Sequence, residues 1–177
     1  LVTEVANAYN TNIRYLKSDG AGRSAAGNFG LRNATGDLMM FLDNDDLLFP
    51  DHVEILVRRL DAQPQHVGAY GMAWETQTRY DEHGRYREIM HFLPVAHRMD
   101  FDREKLKKVN FIPIQSILFR RSLFDREGGF HNELDHLEDW HLWSRYARYG
   151  DFTLVKKVTS LYRTPAEVEM RASRQAE

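Results

Sequence analysis

Five large apolar residues, Leu38-Met39-Met40-Phe41-Leu42, run together and stop at Asp43-Asn44-Asp45-Asp46. A short, unbroken apolar run predicts a strand buried on both faces, as in a parallel sheet covered by helices. The carboxylates then lie where the strand leaves the core, and in an open α/β sheet ligands bind outside that carboxyl end. Extended backbone puts Asp43 and Asp45 on one side and Asp46 on the other. Two carboxylates about 4–5 Å apart repel by about 3–4 kcal/mol at an effective dielectric near 20. A site that keeps them together commonly holds a cation, and oxygen-only ligands favour Mg²⁺ or Mn²⁺. An Asp-rich turn after a strand is the competing reading, because Asp and Asn bond their own backbone there.

A chain of 177 residues predicts one domain over residues 1–177, with a frayed charged tail over 164–177. The net charge of −2 argues against a general nucleic-acid binder. With no cysteine, disulfides and thiolate metal sites are excluded, which fits a reducing, cytoplasmic setting. No apolar run approaches the roughly 20 residues that span a bilayer, so any membrane contact is expected to be peripheral.

Around the acidic run, Asn12–Lys17 reads as a short strand and Ser18–Gly22 as a turn. Arg23–Ala34 reads as a helix capped by Ser24, with Ala25, Ala26, Gly27 and Gly30 allowing close approach to a sheet or a ligand. Pro50–Gln63 is an amphipathic helix with Val53, Leu56, Val57 and Leu60 as its stripe. Val67–Ala73 reads as a buried strand, and Trp74–Arg79 with Arg85–Ile89 as a hairpin about Asp81-Glu82-His83-Gly84. His91–Phe101 reads as loop, Asp102–Val109 as a short basic helix and Ile114–Phe119 as a strand, then a helix ending at Gly128-Gly129. Glu138–Tyr149 is a helix, and Phe152–Val155 and Val158–Tyr162 are two short strands.

A second candidate site opens the helix after Leu137. Glu138 and Asp139 are adjacent carboxylates at a helix N-terminus, where the dipole and free N–H groups stabilise anions. That is a sufficient structural reason for them. The functional reading is a general base, worth about 10²–10⁴ in rate when fixed beside an electrophile. The eight histidines show no HxxxH or HxH pair, so zinc is not expected.

Three segments in this order carry a resemblance. They are Gly27-Asn28-Phe29-Gly30-Leu31 through Ala34-Thr35-Gly36-Asp37, Phe41–Asp46 followed by Pro50-Asp51, and Gly128-Gly129-Phe130 followed by Glu138-Asp139-Trp140 and Leu142. Together they resemble a family 2 glycosyltransferase, the inverting class. The resemblance implies an α/β fold of the GT-A (Rossmann-like) kind, a mostly parallel sheet flanked by helices with a small antiparallel hairpin. It implies that Asp43 and Asp45, with Asp46, bind Mg²⁺ or Mn²⁺ and the diphosphate of a UDP- or GDP-linked sugar. Asn28 belongs to the implied substrate-binding set. Asp139 would be the general base toward a saccharide or lipid-linked hydroxyl acceptor, with Glu138 and Trp140 orienting it and lining the acceptor pocket. Polysaccharide or glycolipid assembly is the implied setting.

Departures from the family pattern are specific. Members commonly carry Arg before the Asn, where this chain has Gly27, and Arg23 is the candidate substitute. The first βα unit, which holds the nucleobase, is expected to be missing ahead of Leu1, and a nucleotide pocket without it is incomplete. No Gln-x-x-Arg-Trp pattern follows Glu138-Asp139, against a processive synthase. A non-catalytic module that binds nucleotide or saccharide is the alternative. A nucleotidyltransferase would need a Gly-rich basic phosphate loop, which the sequence lacks.

Overall fold

The computed structural model describes residues 13–18, 22–134 and 136–166. In chain order the elements are α1 (Arg23–Asn33), β1 (Leu38–Met39), β2 (Leu47–Leu48), α2 (His52–Ala62), β3 (Gly68–Tyr80), β4 (Tyr86–Phe92), α3 (Arg103–Leu106), β5 (Ile117–Arg120), α4 (Arg121–Glu127), α5 (Glu138–Tyr146) and β6 (Phe152–Pro165). Short 3₁₀ turns at Val95–Arg98 and Ile114–Ser116 join them. Among the described residues no helix is long and apolar enough to cross a membrane.

The strands form one sheet in the order β1-β5-β3-β6-β2, with β4 hairpinned onto β3. Strands β3 and β6 pair in parallel along most of their length. Strand β5 runs opposite to both neighbours and is inserted between β1 and β3. Strands β1, β3 and β6 therefore point the same way, as the expected α/β fold requires. The other direct pairings, β2–β6 and β3–β4, are antiparallel.

Alternation along the strands sends neighbouring residues to opposite faces. Tyr70, Phe119 and Leu154 face one side, where Leu31 of α1 and Leu142, Trp143 and Tyr146 of α5 close the larger core. Ala69, Leu118 and Val155 face the other, against Leu56 and Leu60 of α2. Burying a residue such as Leu142, which has no exposed surface, contributes about 1.5–3 kcal/mol.

Several expectations change in detail. The apolar run pairs only over Leu38–Met39; Met39 is buried, Phe41 packs its ring on Phe119 and Phe130, and Leu42 is exposed. The chain leaves the sheet earlier than the run suggests, after two pairs with β5, although β5 continues to Ile117. Ser24 does not cap α1. Gly22, at φ 86°, precedes the helix, and the Ser24 hydroxyl donates to the Leu134 carbonyl at 2.7 Å. Helix α2 starts at His52 rather than Pro50, and Val53 points outward. The stretch 13–18 forms no strand, while residues 12, 19–21 and 167–177 of the expected strand, turn and tail lie outside the described residues.

Two expected strands near the end are one. Between the pairs Gly71↔Val155 and Ala73↔Ser160, β3 advances two residues and β6 five. The surplus, Lys156-Lys157 before the Met72↔Val158 pair and Thr159 after it, is bulged out within one strand and is not a break. Past it, β6 carries Tyr162 and Arg163 to the mouth of the acidic loop.

Candidate active site

The end of β1, the start of α5 and the end of β6 enclose an open cleft of about 710 Å³, a size typical of small-ligand sites. Asp43–Asp46 form one wall, Leu137–Asp139 the opposite one, and Tyr162–Thr164 the side between. The acidic residues expected to act together are thus brought to one place, although nearly a hundred residues separate them in the chain.

The acidic loop is a tight turn, with Asp46 N–H donating to the Asp43 carbonyl at 3.2 Å. Each carboxylate has a different setting. Asp43 Oδ2 accepts from Arg23 of α1 at 2.6 Å. Asp45 is exposed in the cleft. Asp46 is partly buried, and its Oδ1 accepts from the Arg163 backbone N–H at 3.3 Å. Burial, reinforced by the negative charge of Asp45, pushes the Asp46 carboxyl up to about 7.

Among the described residues no three His, Cys, Asp or Glu side chains converge to hold a metal on their own. The donor set instead offers one or two carboxylates beside open space. That fits Mg²⁺ or Mn²⁺ bound jointly with phosphate oxygens of a ligand, because these ions keep several non-protein ligands.

On the opposite wall, α5 begins from Leu137 in the left-handed region, φ 57°, the sole non-glycine residue with positive φ among those described. Such a conformation in a branched residue is costly and is held only by its surroundings. It turns Glu138 and Asp139 into the cleft. Glu138 is buried, with Oε1 3.4 Å from Arg23. Asp139 Oδ2 accepts from Asn110 Nδ2 at 2.9 Å, and Oδ1 accepts from the Trp140 backbone N–H at 2.7 Å. Burial raises the Asp139 pKa, and these two hydrogen bonds pull against it. A carboxylate with a raised pKa is better matched to proton transfer near neutrality.

Two residues expected in the site lie outside the cleft lining. Asn28 is buried, and both ends of its amide hold the chain after α4. Oδ1 accepts from Phe130 N–H at 2.7 Å, and Nδ2 donates to the Phe130 carbonyl at 2.8 Å and to Asn132 Oδ1 at 2.9 Å. A Cβ on Gly129 would sit 2.0 Å from Asn28 Oδ1, so glycine there permits the clamp. Trp140 Nε1 donates to the Leu106 carbonyl and ties α5 to α3. Gly27 permits close approach, but to Phe130 rather than to a ligand: a Cβ there would meet its ring at 2.5 Å.

Asn110, Gln115, His97 and Arg163 line the cleft without having been singled out from the sequence. Arg163 follows an alternating strand pattern and is otherwise unmarked, and the others carry no local signal. Arg23, suspected from the missing Arg before Asn28, bridges the two acidic walls.

The sequence pattern of "Glycosyl transferase family 2" matches residues 1–128. The chain is 28% identical over 134 residues to the uncharacterized glycosyltransferase YwdF of Bacillus subtilis (strain 168), covering 72% of this chain and 45% of that one. It is 25% identical over 129 residues to the amylovoran biosynthesis glycosyltransferase AmsE of Erwinia amylovora, covering 73% and 45%. Its fold is similar to S. aureus TarS 1–349, with TM-score 0.62 at 16% identity over 91% of this chain and 47% of that one. For TarS 1–349 in complex with UDP-GlcNAc the TM-score is 0.61 at 15% identity, over 96% and 48%. The chain spans less than half the length of each of these proteins. With the family pattern covering well over half of it, and a GT-A-like α/β fold that brings the acidic loop and the Glu138-Asp139 pair to one cleft, this chain belongs to glycosyl transferase family 2.

Proposed function

We propose that this chain carries the reaction centre of a transferase that moves a sugar from a nucleotide-sugar donor to a hydroxyl acceptor with inversion. The observation that carries the reading is the single cleft in which Asp43–Asp46 face Asp139. In this reading the donor diphosphate lies against the acidic loop, with Asp45 as the principal metal ligand and Asp43 and Asp46 beside it. Bound Mg²⁺ or Mn²⁺ would neutralise charge on the leaving nucleoside diphosphate.

Asp139 takes the proton of the acceptor hydroxyl as its oxygen bonds to the anomeric carbon. The bond from that carbon to the diphosphate oxygen breaks, and its electron pair leaves with the nucleotide. Attack opposite the leaving group inverts the centre. Asn110 holds the Asp139 carboxylate in place for this step, and Glu138 holds Arg23 at the cleft. The TarS complex with UDP-GlcNAc supports a nucleotide sugar as the donor class. The amylovoran relative supports polysaccharide assembly; this reading takes a saccharide or lipid-linked hydroxyl as the acceptor.

Calorimetric titration with UDP and with GDP, each with and without Mn²⁺, tests the donor side. Metal-dependent binding of one nucleotide, weakened by Asp45→Ala, is the expected result. Binding of neither nucleotide, by this chain or by one lengthened at its N-terminus, would overturn the donor reading. Binding without turnover on any sugar donor would favour a non-catalytic nucleotide-binding module.

A further inference from the structure

Arg163 joins three elements where β6 passes the acidic loop. Its backbone N–H donates to Asp46 Oδ1 at 3.3 Å, and its guanidinium donates to the Asp45 carbonyl. The other edge of that guanidinium belongs to the hairpin. Nε and Nη2 both donate to Glu88 Oε1 on β4, at 3.0 and 2.7 Å. The Arg163 side chain is 16% exposed, so its direction is set by these partners rather than by water. A guanidinium is a rigid plane of donors, and fixing one edge on a carboxylate aims the opposite edge. Here that opposite edge meets the loop backbone. Glu88 does not line the cleft and belongs to none of the family segments.

We propose that Glu88 is a positioning residue for the acidic loop, acting through Arg163, so that the donor side of the cleft depends on the β3–β4 hairpin. The inference rests on reading Asp43–Asp46 as the donor side. Without Glu88 the guanidinium loses the charge that aims it, and the Asp45 carbonyl loses its anchor. The Asp46-to-Asp43 turn, the Arg163 backbone N–H bond to Asp46 and the Arg23–Asp43 pair remain as local restraints. Partly exposed ion pairs add little to global stability, so removing this one leaves the fold intact while loosening the loop.

Hydrogen exchange at residues 43–48, without ligand, reads the loop directly. Glu88→Gln and Arg163→Lys are each expected to speed exchange there by about two- to fivefold, the range open to a partly exposed pair. Glu82→Gln, at the hairpin turn, is expected to leave it unchanged. The double variant should exchange no faster than Arg163→Lys alone, because a residue that acts only through another adds nothing once that other is altered. In steady-state assays Glu88→Gln should raise the donor KM by a similar factor at unchanged kcat and unchanged Tm. Wild-type loop exchange in Glu88→Gln, or additive effects in the double variant, would overturn the proposal. If neither the wild-type chain nor one lengthened at its N-terminus binds UDP or GDP while Glu88→Gln still speeds loop exchange, the donor reading fails and the dependence of the loop on Glu88 stands.

Discussion

The Asn110 side chain donates to Asp139 Oδ2 at 2.9 Å while its own carbonyl oxygen accepts from Ile112 N–H at 3.3 Å. The amide is thereby held at both ends, and the carboxylate it meets is fixed in orientation. Asn110→Leu removes that bond, and the Asp139 pKa, already raised by burial, moves further up. A base must be ionised to act, so the acidic limb of the kcat/KM profile should move to higher pH in Asn110→Leu. An unmoved limb would separate Asp139 from the titration that governs turnover.

Asp139→Asn keeps the shape and removes the base. Sugar transfer should fall by about 10²–10⁴, the usual worth of general-base catalysis, with nucleotide binding kept. Transfer assayed beside calorimetry reads both quantities, and full activity in the variant would remove Asp139 from the reaction.

Two glycines of α1 should respond in opposite directions. Gly27→Ala pushes a methyl into the Phe130 ring, and such overpacking costs about 1–3 kcal/mol. Gly30 has nothing within 4 Å of a built Cβ, so Gly30→Ala should gain up to about 1 kcal/mol from helix propensity. Urea denaturation of the two variants measures both, and Phe130→Leu should recover part of the Gly27→Ala loss.

His52 is fully buried, with Nδ1 2.9 Å from Thr159 Oγ1, and burial lowers its pKa below the ordinary 6.5. The folded chain resists a proton that the unfolded chain accepts from about pH 6.5 downward. Its contribution to stability is therefore complete above that value and is lost as pH falls toward the lower folded pKa. The Tm difference between wild type and His52→Gln should be largest near pH 7.5 and shrink by pH 5. A pH-independent difference would mean that His52 does not titrate in this window.

What the sequence made legible follows from how far each signal reaches. The hairpin was legible because Asp81, Glu82, His83 and Gly84 sit between alternating segments, and its turn closes locally, with Asp81 Oδ1 accepting from His83 and Arg85 N–H. The acidic loop and the Glu138-Asp139 pair were legible as separate motifs, and their meeting in one cleft followed only from the resemblance. The role of Asn28 was not legible, since it depends on Phe130, 102 residues away. The apolar run overstated its strand because apolarity reports burial, and Phe41 is partly buried by aromatic packing without strand pairing. At the end of the chain, Lys156-Lys157 read as a gap because a bulge and a break look alike without the partner strand.

That bulge fixes parity as well as direction. Lys156 and Lys157 lie between the Val155 and Val158 pairings and Thr159 between the Val158 and Ser160 pairings, so β6 gains an odd number of residues on β3, and side chains alternate faces with period two. Everything beyond it is therefore one step out of phase with the strand before it. Straight pairing past Val155, with no surplus, would instead exchange the faces taken by Tyr162 and Arg163. The hydroxyl that now donates to Glu75 and the guanidinium that now meets Glu88 and Asp45 would trade sides of the sheet.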